Sequence, residues 1–552
     1  MKTLAHLSLL IVLLALGLLI SGCPKKPSAP VIVPPKLIDG IGFEDVTLSA
    51  GLDYTWPKQP RPLRNLEAFG TGCAFIDYDD DGWQDILLVA APYPRLYHNQ
   101  KKGTFIETTK ALGLDKLSGD WKGVAVGDFN DDGTLDLVLT GYRCLALLKN
   151  DGGKAFTDVT EASGFRRDNR GHWGASAGFM DLVGNGRLDL VLLNYVVFGP
   201  SEPQFCDDNP MSIKSGCPPS AYKPEFPELW ENRGDGKFTE RRLPKTSGKA
   251  LVVAFTDANG DGRQDLYIGN DGMAAELLIN QGGMRFTNEG MLSGVAYGMQ
   301  GHTMAAMGAD WADYDRDGLL DLAVTGFSGE SYMLYRALGK GAYEQASDAV
   351  GLALPTYKPL GFGAKWLDFD NDGFPDLVFA NGHVYDNTHE IDSSTSFLQP
   401  LMLFQNQQGK RFRDLVPLLG GALARPILGR GLATGDFDND GRMDFLAVDY
   451  EGRPLLAHNL SETKNHYLTL DLRRAEGRGN RFAYGATITA SVGKEQWVGQ
   501  VSPASAYLSS SDPRIHLGLG RHTSLDSLTI RWPDGKKETR THVAADQILS
   551  GF

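Results

Sequence analysis

The sequence predicts an all-β protein, a seven-bladed β-propeller followed by a small all-β, sandwich-like domain. Three observations carry that prediction. A nine-residue acidic stretch with Asp first, Gly sixth and Asp ninth recurs at 77–85, 128–136, 181–189, 257–265, 313–321, 368–376 and 436–444. Each copy runs into a short apolar strand, such as DILLVA from Asp85 or DLVFAN from Asp376. Successive copies start 51, 53, 76, 56, 55 and 68 residues apart, and a period of roughly 50 residues built from short strands is that of a propeller blade.

The remaining elements of each unit follow in order. An apolar run closes on asparagine at 95–99 (RLYHN), 147–150, 229–232, 277–280 and 403–406, and a Phe-Thr-Asp-like strand comes next, as at 103–108, 154–160 and 236–240. The last unit stops at Asn459 without that strand, and the missing piece, GFEDVTLSAGL, stands at 42–52. The N-terminal strand is therefore expected to complete the last blade, which joins the chain ends and removes an open sheet edge. The expected division is 1–23 signal peptide, 24–40 Pro-rich tether, 41–460 propeller and 461–552 C-terminal domain. The last stretch loses the acidic loops and reads as alternating strands (YLTLDL, GATITASV, SLTIRWPDG) of a separate small domain.

The acidic stretches need a cation. Crowded carboxylates repel and are costly to desolvate unless positive charge sits among them, and calcium takes roughly six to eight oxygens from alternating loop positions. Positions 1, 3, 5 and 9 supply Asp77, Asp79, Asp81 and Asp85; Asp128, Asn130, Asp132 and Asp136; Asp257, Asn259, Asp261 and Asp265. The later loops supply Asp313, Asp315, Asp317 and Asp321; Asp368, Asp370, Asp372 and Asp376; Asp436, Asp438, Asp440 and Asp444. An EF-hand would close with Glu at position 12 between helices; here the closing acid comes at position 9 between strands. A lone copy would read as an acidic turn, and the repetition argues otherwise. The third loop has Val183 at position 3, which leaves calcium at Asp181, Asn185 and Asp189 in question.

Composition narrows the partners. The formal charge of −14 argues against nucleic acid, and 26 aspartates fall within the seven loops, so the acidity is mostly ligand supply. The chain begins with one lysine, an apolar run and Ile20-Ser21-Gly22-Cys23. That is a signal peptide whose end resembles the bacterial lipoprotein box, with Cys23 lipidated. The short run and the proline-rich stretch after it weigh against a transmembrane anchor. The expected location is the bacterial cell envelope, lipid-anchored at the outer membrane or cell surface in preference to the inner membrane. Four further cysteines suit an oxidising compartment: a Cys206–Cys217 bridge is expected in a proline-rich insertion, and Cys73 and Cys144 either pair or stay buried thiols.

The acidic repeats resemble the FG-GAP/VCBS repeats of integrin-type propellers, in which a strand–loop–strand hairpin holds calcium. The C-terminal part resembles the ASPIC/UnbV domain through Asn480-Arg481, Tyr484-Gly485-Ala486, Tyr507-Leu508-Ser509-Ser510, His516–Gly520 and Trp532–Gly535. NGHVYD (381–386) and GRGLATGDFDNDG (429–441) look like further stretches of the family in which both parts occur together, that of cartilage acidic protein 1. The resemblance implies no catalytic residue.

Function is expected on loops around the channel. The third and sixth units carry insertions at 195–227 and 383–400, each following the strand after an acidic loop, so both should overhang one end of the channel. His383, Tyr385, Asp386 and His389 are the candidate ligand-reading groups, for a carbohydrate or a protein. An enzyme acting on polysaccharide, lyase- or dehydratase-like, is the alternative, drawing on the same histidines with His172 and His302; a scaffold for other envelope proteins is another. No GxSxG, HExxH or phosphate-binding glycine loop occurs. Arg233-Gly234-Asp235 spells an integrin-recognition tripeptide but sits in an ordinary turn of the repeat.

Overall fold

The computed structural model describes residues 36–475 and 477–552. The signal peptide, Cys23 and most of the tether lie outside the described residues. Between Phe43 and Asn459 the chain forms seven four-stranded antiparallel sheets, the blades of a β-propeller. The innermost strands are Cys73–Ile76, Asp120–Gly127, Gly174–Met180, Ala250–Thr256, Ala309–Ala312, Gly361–Leu367 and Gly429–Gly435, and each packs against those of the neighbouring blades. Strands covered on both faces lose polar alternation: Asp189–Asn194 and Asp376–Asn381 are buried along their whole length. The last blade takes its outer strand from the other chain end, Phe43–Asp45, paired with Leu455–Asn459. No helix among the described residues is long and apolar enough to cross a membrane.

The strand-closing asparagines hold the ring together. Asn150 Nδ2 donates to Leu135 O in its own blade (3.0 Å) and to Tyr78 O in the preceding blade (2.7 Å). Asn99, Asn232, Asn280, Asn406 and Asn459 make the equivalent pair, Asn99 reaching back to Phe437 and so closing the circle. The ninth-position aspartate anchors each: Asp136 accepts from Phe129 N and Asn150 N. The fifth blade has Ala337 at this place, and only its backbone N–H reaches Asp321. Replacing Asn150 with Ala leaves two buried carbonyls without donors, an expected loss of about 2–4 kcal/mol. An unchanged urea midpoint would contradict that role.

The C-terminal part contains a three-stranded sheet (Ile515–Gly520, His466–Leu470, Gln547–Leu549) and a four-stranded sheet (Glu495–Gln500, Thr487–Val492, Ser524–Arg531, Lys537–Ala544). Residues 36–552 form one compact unit, in which residues 504–511 run into the propeller channel. Inner strands are sheet edges with unpaired backbone groups, and this segment pairs them. Ser510 exchanges hydrogen bonds with Cys73 O and Phe75 N; Leu508 O accepts from Val124 N (3.0 Å), and Leu508 N donates to Ser176 Oγ (2.9 Å). Ala506 N donates to Ala309 O, Lys365 Nζ to Ser505 Oγ, Leu432 N to Ser509 Oγ and Thr434 N to Ser511 Oγ. Phe255 in the fourth blade takes Gln500 Nε2. Ala506 and Leu508 hold positive φ, 66° and 60°, a cost of about 1–3 kcal/mol each that the dense hydrogen bonding offsets. The channel is therefore a filled core.

Candidate functional site

Each acidic loop folds around its first carboxylate. Asp77 Oδ1 accepts from Asp81 N and Oδ2 from Gly82 N, both at 2.9 Å; Asp128, Asp313, Asp368 and Asp436 repeat this. The fourth residue adopts positive φ in every loop, as at Asp80 (55°) and Asn371 (57°), which turns carboxylates 1, 3 and 5 inward. Asp77, Asp79 and Asp81, and likewise Asp368, Asp370 and Asp376, bring oxygens within 4.8 Å of one another. Burial is the first cause of raised pKa values: about 7 at Asp77, Asp128, Asp313 and Asp436, about 9 at Asp85 and Asp136. Buried Asp79 Oδ1, Asp257 Oδ1 and Asp438 Oδ1 have no hydrogen-bond partner among the described residues.

These groups fit a hard divalent cation, but not equally. In five blades the residue before the strand-closing position points onto the acidic loop. It is Arg336 in the fifth blade, donating to Asp315 (2.6 Å) and Asp317 (3.1 Å), and Lys149 in the second, 3.5 Å from Asp132. His98 and His458 approach Asp85 and Asp438 at 3.1 Å in the first and seventh. In the fourth blade Arg531 pairs with Asp257 (3.2 Å). The sixth blade presents neutral Gln405, 2.8 Å from Asp370, to three buried aspartates. Asp372 there is pushed up to about 7 by burial and Asp370. The sixth loop fits calcium best, and Asp368, Asp370, Asp372 and Asp376 are the residues that would hold it. In the third loop Asp181 spends its oxygens on the amides of Gly184, Asn185 and Gly186, and Val183 offers no oxygen.

The C-terminal domain covers this acidic face. Arg473 and Arg481 reach Asp80 (3.3 and 3.7 Å), Arg514 bonds Asn439 Oδ1 (2.7 Å) and His516 bonds Asn371 Oδ1 (2.6 Å). Gly518 lies so close that a Cβ there would overlap Asp368 Oδ2 and the Asn371 backbone. Gly518→Ala is expected to lower both the melting temperature and calcium retention. Wild-type values for both would show that the strand does not press on this loop.

The insertions meet on the opposite face. Asn387 Nδ2 donates to Lys214 O (3.0 Å), Cys206 and Cys217 form a disulfide, and Asn65 pairs with both backbone groups of Cys217. Cys73 and Cys144 are free and buried. The four candidate ligand-reading groups do not converge. His383 is 3% exposed; Nδ1 accepts from Tyr385 N and Nε2 meets Thr388 Oγ1, while burial and the Arg430 charge bring it down to about 3. It is a structural group, which corrects its expected role. Asp386 is taken by Leu63 N (3.1 Å) and Arg61 (3.3 Å). His389 is exposed. Tyr385 lines a cavity of about 50 Å³ under the insertions, room for a water or two at ~30 Å³ each. His172 is paired with Glu225 (2.8 Å), which raises its pKa, and His302 is exposed.

The FG-GAP-like repeat model matches residues 77–139, 128–192, 257–324, 313–379 and 368–447, more than half of the chain. The chain belongs to the FG-GAP-like repeat family. Residues 476–550 match the ASPIC and UnbV model. Mouse cartilage acidic protein 1 is 25% identical over 512 residues, covering 87% of this chain and 72% of that protein. Human integrin alpha-IIb is 32% identical over 166 residues, 25% of this chain and 16% of that one. An Agrocybe aegerita lectin specific for non-reducing terminal N-acetylglucosamine aligns with a TM-score of 0.40 and 18% identity, covering 62% of this chain and 80% of its own. That score carries no argument about the site.

Within this FG-GAP-like repeat protein, sequence reasoning missed Arg430. Its guanidinium is fully buried and donates to Ala68 O, Gly382 O, Gly429 O and His383 O, fastening the sixth insertion to the seventh blade. The signal was an arginine between two glycines at the start of an inner strand. Arg233-Gly234-Asp235 lies in the turn between Glu228–Asn232 and Phe238–Arg241, with Gly234 N held by Asn232 Oδ1.

Proposed function

We propose that the protein is a calcium-stabilised binding and adhesion module, held on the bacterial cell envelope by a lipid on Cys23, and that its ligand is a carbohydrate or a protein. Binding is the coarse function that FG-GAP repeats shared with integrin alpha-IIb support. The observation that carries the reading is the insertion face. Val197, Met211, Phe226 and Leu398 on the two insertions are large apolar side chains 39–59% exposed, and the Cys206–Cys217 bridge and the Asn65 and Asn387 bonds tie down the segments beside them. Exposed apolar groups on pre-ordered loops lower the entropy cost of capturing a partner. The calcium reading rests on the orphaned carboxylate oxygens and on the sixth loop.

The test is an array of immobilised glycans and extracellular proteins probed with and without calcium, followed by product analysis of every hit. Saturable binding that is lost in Phe226→Ser with Met211→Ser, at unchanged melting temperature, is expected. Turnover of a bound polysaccharide would overturn the reading in favour of an enzyme. Binding indifferent to those substitutions would remove the insertion face from it.

A further inference from the structure

On the acidic-loop side of the filled channel, at the opposite end from the insertions, a cavity of about 180 Å³ lies between the C-terminal domain and the inner ends of the fourth to seventh blades. Neither module encloses it alone. The propeller contributes Trp311, Trp366 and Thr434, and the C-terminal domain contributes Trp497, Ser502 and Ile515.

Its basic groups are already paired within the chain, and Asp313 and Asp368, the first residues of the fifth and sixth acidic loops, add two carboxylates that accept loop amides. Lys365 Nζ lies 2.9 Å from Asp310, Arg514 2.6 Å from Asp512, and Arg316 3.0 Å from Glu495 while stacking 4.1 Å over the Trp497 ring. An incoming anion would lose its hydration, meet no free cation and face the carboxylates of Asp313 and Asp368. Two hydroxyls remain open: those of Thr434, a buried residue, and Ser502 line the cavity and make no side-chain hydrogen bond among the described residues. The rest of the wall is rich in indole and aliphatic surface. A cavity of about 150 Å³ admits one benzene ring, so this volume suits a single six-membered ring. A neutral ring with one apolar face and hydroxyls at its edge matches the aromatic walls, the free hydroxyls and the lack of an unpaired cation. Sites that set placed polar groups beside apolar walls favour the seam between two modules.

We propose that this cavity is a binding site for one neutral pyranose, free or at the end of a glycan. The site explains a use for joining the two modules, since each supplies half of its wall. It does not depend on what the insertion face captures.

Saturation-transfer NMR on the calcium-loaded protein tests it, with methyl gluco-, galacto- and mannopyranoside, a neutral tetrasaccharide of each sugar, and galacturonate. A signal is expected from at least one neutral pyranoside or from the terminal ring of a tetrasaccharide, the two arms separating free sugar from glycan end, and none from galacturonate. Ser502→Phe, which fills the cavity, should weaken that binding at least tenfold with calcium content and melting temperature unchanged. Val498→Trp fills the same space from the Glu495–Gln500 strand and gives the same reading if the first variant does not fold. No signal from any neutral probe overturns the proposal, as does equal binding of galacturonate. A signal that survives both filled variants also overturns it; loss of that signal with Phe226→Ser would assign the sugar to the insertion face.

Discussion

Stripping divalent cations from residues 36–552 is expected to lower the melting temperature by roughly 15 °C. A ligand that binds only the folded state stabilises it by mass action, about 2.7 kcal/mol per site at a hundredfold excess over Kd. Six occupied loops would together give about 16 kcal/mol, and a chain of this size changes by about 1 kcal/mol per degree near its midpoint. The structural cause is specific. Asp368, Asp376 and Asp444 are buried carboxylates whose pKa values burial raises well above the usual range, and a cation lets them stay ionised without repulsion. The loops that carry their own cation, above all the fifth with Arg336, should contribute least. Asp370→Ala should remove more of the calcium effect than Asp315→Ala. Identical melting in chelator and in calcium would remove calcium from the account.

Removing residues 464–552 should leave no soluble folded propeller. The deletion would unpair backbone groups on Cys73, Phe75, Val124 and Ala309 together and bare the aromatic and aliphatic channel wall, including Phe362, which packs on Tyr507 at 4.8 Å. A finer probe keeps the chain whole. A Cβ at Gly72 would overlap the Leu508 carbonyl oxygen, so Gly72→Ala must push the inserted segment out of place, at an expected cost of about 3 kcal/mol or more. Gly199→Ala, where a Cβ meets nothing within 4 Å, should stay within about 0.5 kcal/mol of wild type. Equal stability of the two variants, or a well-folded propeller without its C-terminal domain, would mean that the inserted segment is decoration.

Much of the fold was legible because its signals are local. An Asp-Gly loop between two apolar strands states its own turn, and seven copies state the repeat. The strand-closing asparagines were legible as landmarks but not in their task, since Asn150 bonds Tyr78, 72 residues away. The inserted segment was not legible at all. Leu508 and Ser509 meet partners such as Ser176 and Cys73 more than 300 residues earlier. His383 misled for the opposite reason: residue type and an insertion suggested a ligand, while burial under Arg430 and Thr388 decides its role. The differences among the intact acidic loops were not legible either, because the neighbouring strand supplies Arg336 in one blade and Gln405 in another.

The most direct measurement is a long-wavelength anomalous difference map from crystals grown in calcium. The account predicts the strongest peak among Asp368, Asp370, Asp372 and Asp376, and none at Asp181 and Val183. A vacant sixth loop with density in the third, or no peak in any loop, would contradict it.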